Sequence, residues 1–142
     1  MELSSLEPGD ELPPVTVEDL QGSDMKLGAA LLQDPYPPHF DERTAEEMGY
    51  PRLLNQGPFN LSYLLQCALQ PAASPTALES FDTRFHAMVF EGDTVTASAT
   101  VDSVRAGETD GAPEAVTFTL ELTREDGTVA VDGTATVRVS DE

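Results

Sequence analysis

Basic residues are scarce in this chain of 142 residues. Seven lysines and arginines stand against 26 aspartates and glutamates, which gives a net charge of −19, and Lys26 is the only lysine. Nucleic acid is bound by cations that neutralise its phosphates, so this composition argues against a nucleic-acid partner. Such acidity is typical of proteins from salt-loving archaea, where a Debye length of about 3 Å at molar salt screens self-repulsion. We therefore expect a halophilic source.

Cysteine and histidine are scarce as well. Cys67 is the single cysteine, and His39 and His86 are the only histidines, so no intramolecular disulfide forms and we expect no protein-built metal site. No apolar run reaches 18 residues, and no basic region with an apolar segment opens the chain. The sequence therefore predicts a soluble, cytoplasmic protein without a membrane partner.

The most apolar segment predicts a helix from Gly57 to Gln70. It begins with Gly-Pro, which suits a helix N-terminus, and its leucines follow helical spacing. Apolar side chains occur nearly all round it, which indicates a buried central helix. After residue 77 polar and apolar residues alternate in several segments, the last two joined at Glu125–Gly127. We expect an α+β fold, a curved antiparallel sheet wrapped on one long helix, as a single domain over residues 1–142.

The first third of the chain predicts smaller elements. The segment GDELPPVTVEDL has the prolines and alternation of an edge strand, and SDMKLGAALLQ predicts a short helix that ends before Pro35. Thr44 is predicted to cap a further helix that has Glu46 and Glu47 in its first turn and ends at Gly49.

A proline-rich loop carries the first candidate site. Asp34 and His39 lie five positions apart, and Pro35, Pro37 and Pro38 stand between them. Prolines stiffen the backbone, and a carboxylate held beside an imidazole is suited to general acid–base chemistry. From spacing alone, the alternative stays open that Asp34 caps a turn and His39 is a solvated loop residue.

A longer pattern resembles a known family. The chain reads D-x-Y-P-x-H-x-D-x-x-x-A-x-x-x-G-Y from Asp34 to Tyr50, then L-x-x-G-x-x-x-x-S up to Ser62. This is similar to the hydratase motif of the MaoC-like, (R)-specific enoyl-CoA hydratase and acyl dehydratase family. The resemblance extends from about Glu7 to Val139 and implies a hot-dog fold, with the helix from Gly57 enclosed by the sheet.

The resemblance also implies roles for individual residues. Asp34 and His39 would activate a water that adds across the C2–C3 double bond of an enoyl thioester, and the reverse reaction is dehydration. The backbone N–H of Gly57 would bind the thioester carbonyl, because a helix N-terminus presents unpaired donors and a positive dipole end. The implied substrate-binding residues are Tyr36, Gln56, Phe59 and Ser62. Coenzyme A would be part of the substrate, and no other cofactor is implied.

Two positions depart from the family pattern. Tyr36 replaces an asparagine and is larger, so it narrows the pocket, and Gln56 replaces a histidine before the helix glycine and lines the site. For Ser62, a hydrogen bond to its own helix backbone is an equal alternative to a contact with the acyl chain.

Other polar residues are assigned structural roles. We expect His86 to be a surface or interface residue and Cys67 a small apolar residue of the buried helix. Arg52 and Arg84 are expected to form ion pairs within the chain, although coenzyme A phosphates are an alternative. Asp41 is expected to cap the helix that follows it.

Two alternatives to the hydratase remain at this point. A hot-dog thioesterase would polarise the same carbonyl, but it usually places a carboxylate on the central helix, and none occurs between Gly57 and Gln70. A non-catalytic or partner-dependent subunit that binds acyl thioesters is the other alternative. A single sheet leaves unpaired edges, so we expect a homodimer, with a higher oligomer or a heteromer with a related subunit as further possibilities.

Overall fold

The computed structural model describes residues 1–139. It contains three helices, α1 (Gly22–Leu32), α2 (Glu42–Glu47) and α3 (Gly57–Ala68), and five strands, β1 (Val15–Val17), β2 (Leu78–Phe85), β3 (Val95–Ala106), β4 (Pro113–Arg124) and β5 (Val129–Arg138). Short 3₁₀ turns span Leu3–Ser5, Pro37–His39 and Pro75–Ala77. Within these residues no helix is long and apolar enough to cross a membrane.

All five strands belong to one antiparallel sheet in the order β1-β3-β4-β5-β2. The predicted edge strand is β1, which pairs with β3 from Val15 to Val17. Strands β4 and β5 form the predicted hairpin, in which Gly127 has a φ of 85°, a conformation that glycine adopts at no steric cost. The strand β2 forms the other edge of the sheet in the single chain.

The core lies between the sheet and α3. Alternate residues of β3 and β4 are buried, and so are Leu64, Cys67 and Ala68 of α3. Alternation with a period of two puts one face of each strand towards the helix and the other towards solvent, in keeping with the polar–apolar alternation of the sequence. The α+β prediction is therefore confirmed.

The prediction that α3 is a buried central helix holds for only part of its surface in the single chain. The sheet covers one face only, so Leu61, Tyr63 and Leu65 are half-buried and Gln66 is exposed. A curved sheet can shield only the helix face that it contacts, and the opposite face of α3 remains at the surface of the protomer.

Of the two caps predicted for α2, Asp41 is confirmed and Thr44 is wrong. Asp41, and not Thr44, is the N-cap: its carboxylate accepts hydrogen bonds from the backbone N–H groups of Arg43 (3.0 Å) and Thr44 (3.3 Å). The hydrogen bonds from Thr44 hold the pKa of Asp41 below its usual value. Because the helix begins at residue 42, Glu46 and Glu47 lie in its last turn, not in its first.

Candidate active site

The loop after α1 is fixed by its own hydrogen bonds. The N–H of Asp34 donates to the carbonyl of Ala29 (3.0 Å), and the N–H of Tyr36 donates to Asp34 Oδ1 (3.1 Å). The turn Pro37–His39 follows, closed by a hydrogen bond from the N–H of Phe40 to the carbonyl of Pro37 (3.0 Å). The proline-rich sequence therefore forms one rigid corner that carries both Asp34 and His39.

His39 is buried and oriented from both sides. Its Nδ1 lies 2.7 Å from the carbonyl oxygen of Leu54, and its Nε2 lies 3.4 Å from Asp34 Oδ2. A carbonyl oxygen only accepts hydrogen bonds, so Nδ1 carries the ring proton, and Nε2 of the neutral imidazole keeps a lone pair. The residue is 7% exposed, and the Asp34 side chain is 30% exposed. The structure therefore brings the predicted pair together, with the imidazole largely buried and part of the carboxylate open to solvent.

The N-terminus of α3 faces the same cleft. Gly57 is the first residue of the helix, so its N–H has no intrahelical acceptor and lies at the positive end of the helix dipole. A Cβ at this position would meet only the ring of Phe85, at 3.4 Å. The missing side chain leaves the backbone N–H open to a ligand.

The cleft has a volume of about 410 Å³. It is lined by Tyr36, His39, Leu54, Asn55, Gly57, Asn60, Phe85, His86, Ala87, Met88 and Val89. Asp34 lies outside this lining and reaches it through its contact with His39. Most of the lining is apolar, and the polar groups converge at the end formed by α3 and the proline-rich loop, as in small-molecule sites generally.

Tyr36 stands at the rim of the cleft. Its ring packs edge-on against His39, with 5.3 Å between ring centroids, and the nearby Tyr50 hydroxyl raises the pKa of Tyr36. The aromatic side chain thus contacts the imidazole at a position that also lines the cleft.

The other predicted substrate-binding residues lie elsewhere. Phe59 and Ser62 line a second cavity of about 280 Å³, on the side of α3 that faces α1. The hydroxyl of Ser62 donates to the carbonyl of Phe59 (2.7 Å), which is the helix-backbone alternative. Gln56 lines neither cavity. It is fully buried, and its Nε2 donates to the carbonyl of Met25 (2.7 Å).

Two asparagines that the sequence did not predict as site residues also line the cleft. Asn55 and Asn60 line the cleft beside Gly57, and Asn55 Nδ2 donates to Asn60 Oδ1 at 2.7 Å. Asn55 also lines the second cavity, so it stands between the two spaces. The sequence did carry one indication of these residues: they are the only asparagines in the chain, and they lie on either side of Gly57, where α3 begins.

The remaining polar candidates have separate surroundings. His86 lies just after β2, on the rim of the cleft, and forms an ion pair with Asp132 (2.9 Å) when protonated. Arg52 pairs with Asp93 (3.2 Å), as predicted. Arg84 has no carboxylate within 4.0 Å among residues 1–139, so the ion pair predicted for it is not found there. Burial raises the pKa of Cys67, in keeping with an unreactive thiol.

The chain is similar to known proteins in both sequence and structure. The model of the MaoC-like domain matches residues 7–124. The (R)-hydratase from A. caviae involved in PHA biosynthesis is 26% identical, with a TM-score of 0.82 over 96% of this chain and 98% of its own. R-hydratase PhaJ1 from Pseudomonas aeruginosa is 20% identical, with a TM-score of 0.83 over 99% and 86%.

A third similar structure is a chain of the ChsH1-ChsH2 complex from Mycobacterium tuberculosis. It is 18% identical, with a TM-score of 0.79, and the match covers 94% of this chain and 98% of that one. No curated protein sequence matches the chain. A helix enclosed on one side by a five-stranded antiparallel sheet defines a hot-dog protein. The chain belongs to the MaoC-like domain family.

Proposed function

We propose that this protein hydrates a 2-enoyl thioester of coenzyme A to the (R)-3-hydroxyacyl thioester, or catalyses the reverse dehydration. Membership of the MaoC-like family and the likeness to the A. caviae (R)-hydratase support this class of reaction. The observation that carries the proposal is the contact of His39 Nε2 with Asp34 Oδ2 (3.4 Å), because His39 lines the same cleft as Gly57.

The two facing atoms are suited to holding one water. Nε2 of neutral His39 and Oδ2 of Asp34 are both acceptors, so each takes one O–H of the same water. The lone pairs of that water then point away from both residues and towards C3 of a bound enoyl group. As the oxygen bonds to C3, one proton of the water passes to the dyad, which acts as general base.

The electrons of the double bond move towards the thioester. The π pair of C2–C3 shifts to C1–C2, and negative charge develops on the carbonyl oxygen as an enolate. The N–H of Gly57 donates to this oxygen, and the helix dipole stabilises the charge most in the transition state. The proton held by the dyad is then delivered to C2, which restores the carbonyl and leaves the hydroxyl on C3. The substrate supplies coenzyme A, and the proposal requires no further cofactor.

The face of α3 that the sheet leaves uncovered supports an oligomer. Leu65 is half-buried and Gln66 is exposed in the single chain, and β2 is an edge of the sheet. We propose a homodimer that covers these surfaces, each subunit a single domain over residues 1–142. The alternative is a heteromer with a related subunit, because the chain is similar to a chain of the ChsH1-ChsH2 complex. Light scattering after size exclusion of the purified protein distinguishes a dimer from a monomer.

The proposed reaction is tested with crotonyl-CoA, whose enoyl absorbance disappears on hydration. The assay is run in about molar KCl, which screens the charge of −19. We expect turnover by the wild type, with the (R)-3-hydroxybutyryl product identified by chiral chromatography. Release of free thiol without loss of the enoyl group would instead indicate a thioesterase. Binding without either reaction would indicate a non-catalytic subunit.

A further inference from the structure

The two asparagines that line the cleft, Asn55 and Asn60, are buried, and part of their hydrogen-bonding capacity is not used within the protein. Asn55 is 4% exposed and Asn60 is 3% exposed. Burying an amide without hydrogen bonds is costly, so each polar atom of the pair is expected to have a partner. The hydrogen bond from Asn55 Nδ2 to Asn60 Oδ1 accounts for only part of their capacity.

The free donors of Asn60 are the ones that face the cleft. Its Oδ1 accepts from Asn55, which fixes the orientation of the amide and leaves both N–H bonds of Nδ2 without an acceptor within residues 1–139. Among residues 1–139, Gln56 Oε1 is the one side-chain nitrogen or oxygen that is fully buried and has no hydrogen-bond partner. Asn60 Nδ2 has no partner either, so it is not fully buried. The cavity that Asn60 lines is the one that contains His39 and Gly57.

Asn60 also has the right position on its helix. It follows Gly57 by three residues, and residues three apart lie on the same face of an α-helix, one above the other. The N–H of Gly57 and the amide of Asn60 therefore reach the cleft from one side. A carbonyl oxygen has two lone pairs, so it can accept one hydrogen bond from each group.

We propose that Asn60 contacts the substrate directly and donates a second hydrogen bond to the thioester carbonyl oxygen, with Asn55 as the residue that positions it. The inference rests on the proposed function. As enolate charge develops on that oxygen, the amide donor stabilises it more strongly than it stabilises the neutral carbonyl. Asn60 therefore acts on kcat more than on KM, while Asn55 acts only through the orientation of Asn60.

The first test compares the kinetics of four variants with crotonyl-CoA. Asn60→Asp keeps the acceptor for Asn55 but removes the N–H donors, and we expect kcat to fall by about 10²-fold or more, with KM changed only a few-fold. Asn60→Ser, which keeps a smaller donor, retains more activity than Asn60→Asp. Asn55→Leu leaves the amide of Asn60 in place but unoriented, so a smaller loss is expected. Gln66→Leu, which removes an exposed amide of α3, keeps the wild-type kcat.

The second test does not depend on turnover. Butyryl-CoA labelled with ¹³C at the carbonyl has no double bond to hydrate, and the infrared stretch of its C=O reports hydrogen bonding to that oxygen. We expect binding to the wild type and to Gln66→Leu to lower the frequency, and Asn60→Asp to lose a clear part of this shift. Thermal melting verifies that each variant is folded.

The outcomes separate the two proposals. An unchanged C=O shift or an unchanged kcat in folded Asn60→Asp overturns the role of Asn60. A failure of both Asn60 variants to fold also overturns it, since the pair would then be structural. No hydration by the wild type, with the C=O shift still dependent on Asn60, overturns the proposed reaction and retains Asn60 as a carbonyl-binding residue.

Discussion

The imidazole of His39 donates from Nδ1 to the backbone carbonyl of Leu54 at 2.7 Å. This contact joins the proline-rich loop to the chain just before α3, and the N–H of Leu54 returns a hydrogen bond to the carbonyl of Pro38 (2.9 Å). Two reciprocal hydrogen bonds thus hold the ring at the helix N-terminus and fix which nitrogen faces Asp34. The backbone thereby places a ring proton on Nδ1 and turns Nε2 towards Asp34.

The two histidine–aspartate pairs of the chain provide a matched comparison. We expect Asp34→Asn to lower kcat at least about 10²-fold, because its amide donates to His39 Nε2 and occupies the lone pair that should accept from water. Asp132→Asn alters the 2.9 Å pair with His86 and should change kcat less than about threefold. Initial rates with crotonyl-CoA measure both. Equal losses in the two variants would contradict the assignment of Asp34.

Gly57→Ala tests the carbonyl site without disturbing the core. The added Cβ meets the ring of Phe85 at 3.4 Å, an ordinary contact, so we expect a melting temperature within a few degrees of the wild type. The same methyl group points into the cleft and obstructs the approach of a carbonyl to the backbone N–H. Both kcat and the binding of butyryl-CoA should therefore fall. Full activity in this variant would mean that the thioester lies elsewhere.

Gly28→Ala tests whether the second cavity takes part in substrate binding. A Cβ on Gly28 of α1 would overlap the ring of Phe59, so that ring must shift and the shape of the cavity that it lines must change. If Phe59 contacts the acyl chain, activity with hexenoyl- and octenoyl-CoA should change several-fold relative to crotonyl-CoA. As a control, Ala30→Gly alters an exposed position of the same helix. An unchanged chain-length profile would remove Phe59 from the substrate-binding residues.

The stability of the hairpin between β4 and β5 should depend on pH. The N–H of Thr128 and the guanidinium of Arg124 lower the pKa of Asp126 to about 2. A folded-state pKa below the unfolded value of about 3.9 contributes stability above pH 3.9 that is lost as pH falls towards 2. The melting-temperature difference between wild type and Asp126→Asn should therefore shrink between pH 6 and pH 2. Asp102→Asn, which removes the same charge at an exposed position, should show no such shrinkage.

The fold could be predicted from the sequence because its signals are local. Strands β3 to β5 follow polar–apolar alternation, and α3 begins at a Gly-Pro pair. The sequence predicted two caps for α2 and could not choose between them, because Asp41 and Thr44 are both good N-cap residues and lie three positions apart. Which of them caps depends on where the preceding turn at Pro37–His39 ends.

Only those parts of the candidate site that lie within one continuous segment of the chain could be predicted from the sequence. The spacing of Asp34 and His39 within a single loop left their role open, and the resemblance of the surrounding motif to the MaoC-like family indicated both the pair and Gly57. The burial of Gln56 depends on the packing of α3 against Met25 of α1, a contact between distant parts of the chain. Asn55 is likewise held by a backbone hydrogen bond from its N–H to the carbonyl of Val89 (2.8 Å), a contact between distant parts of the chain that no local pattern reveals.

The most direct test of the account is the hydration of crotonyl-CoA by wild type and His39→Ala in molar KCl. The variant leaves the backbone of the loop in place, and His86→Ala serves as the control at the only other histidine. We predict that the wild type and His86→Ala hydrate the substrate, while folded His39→Ala is slower by about 10³-fold or more. A wild-type rate in folded His39→Ala would contradict the central claim that His39 and Asp34 activate the water.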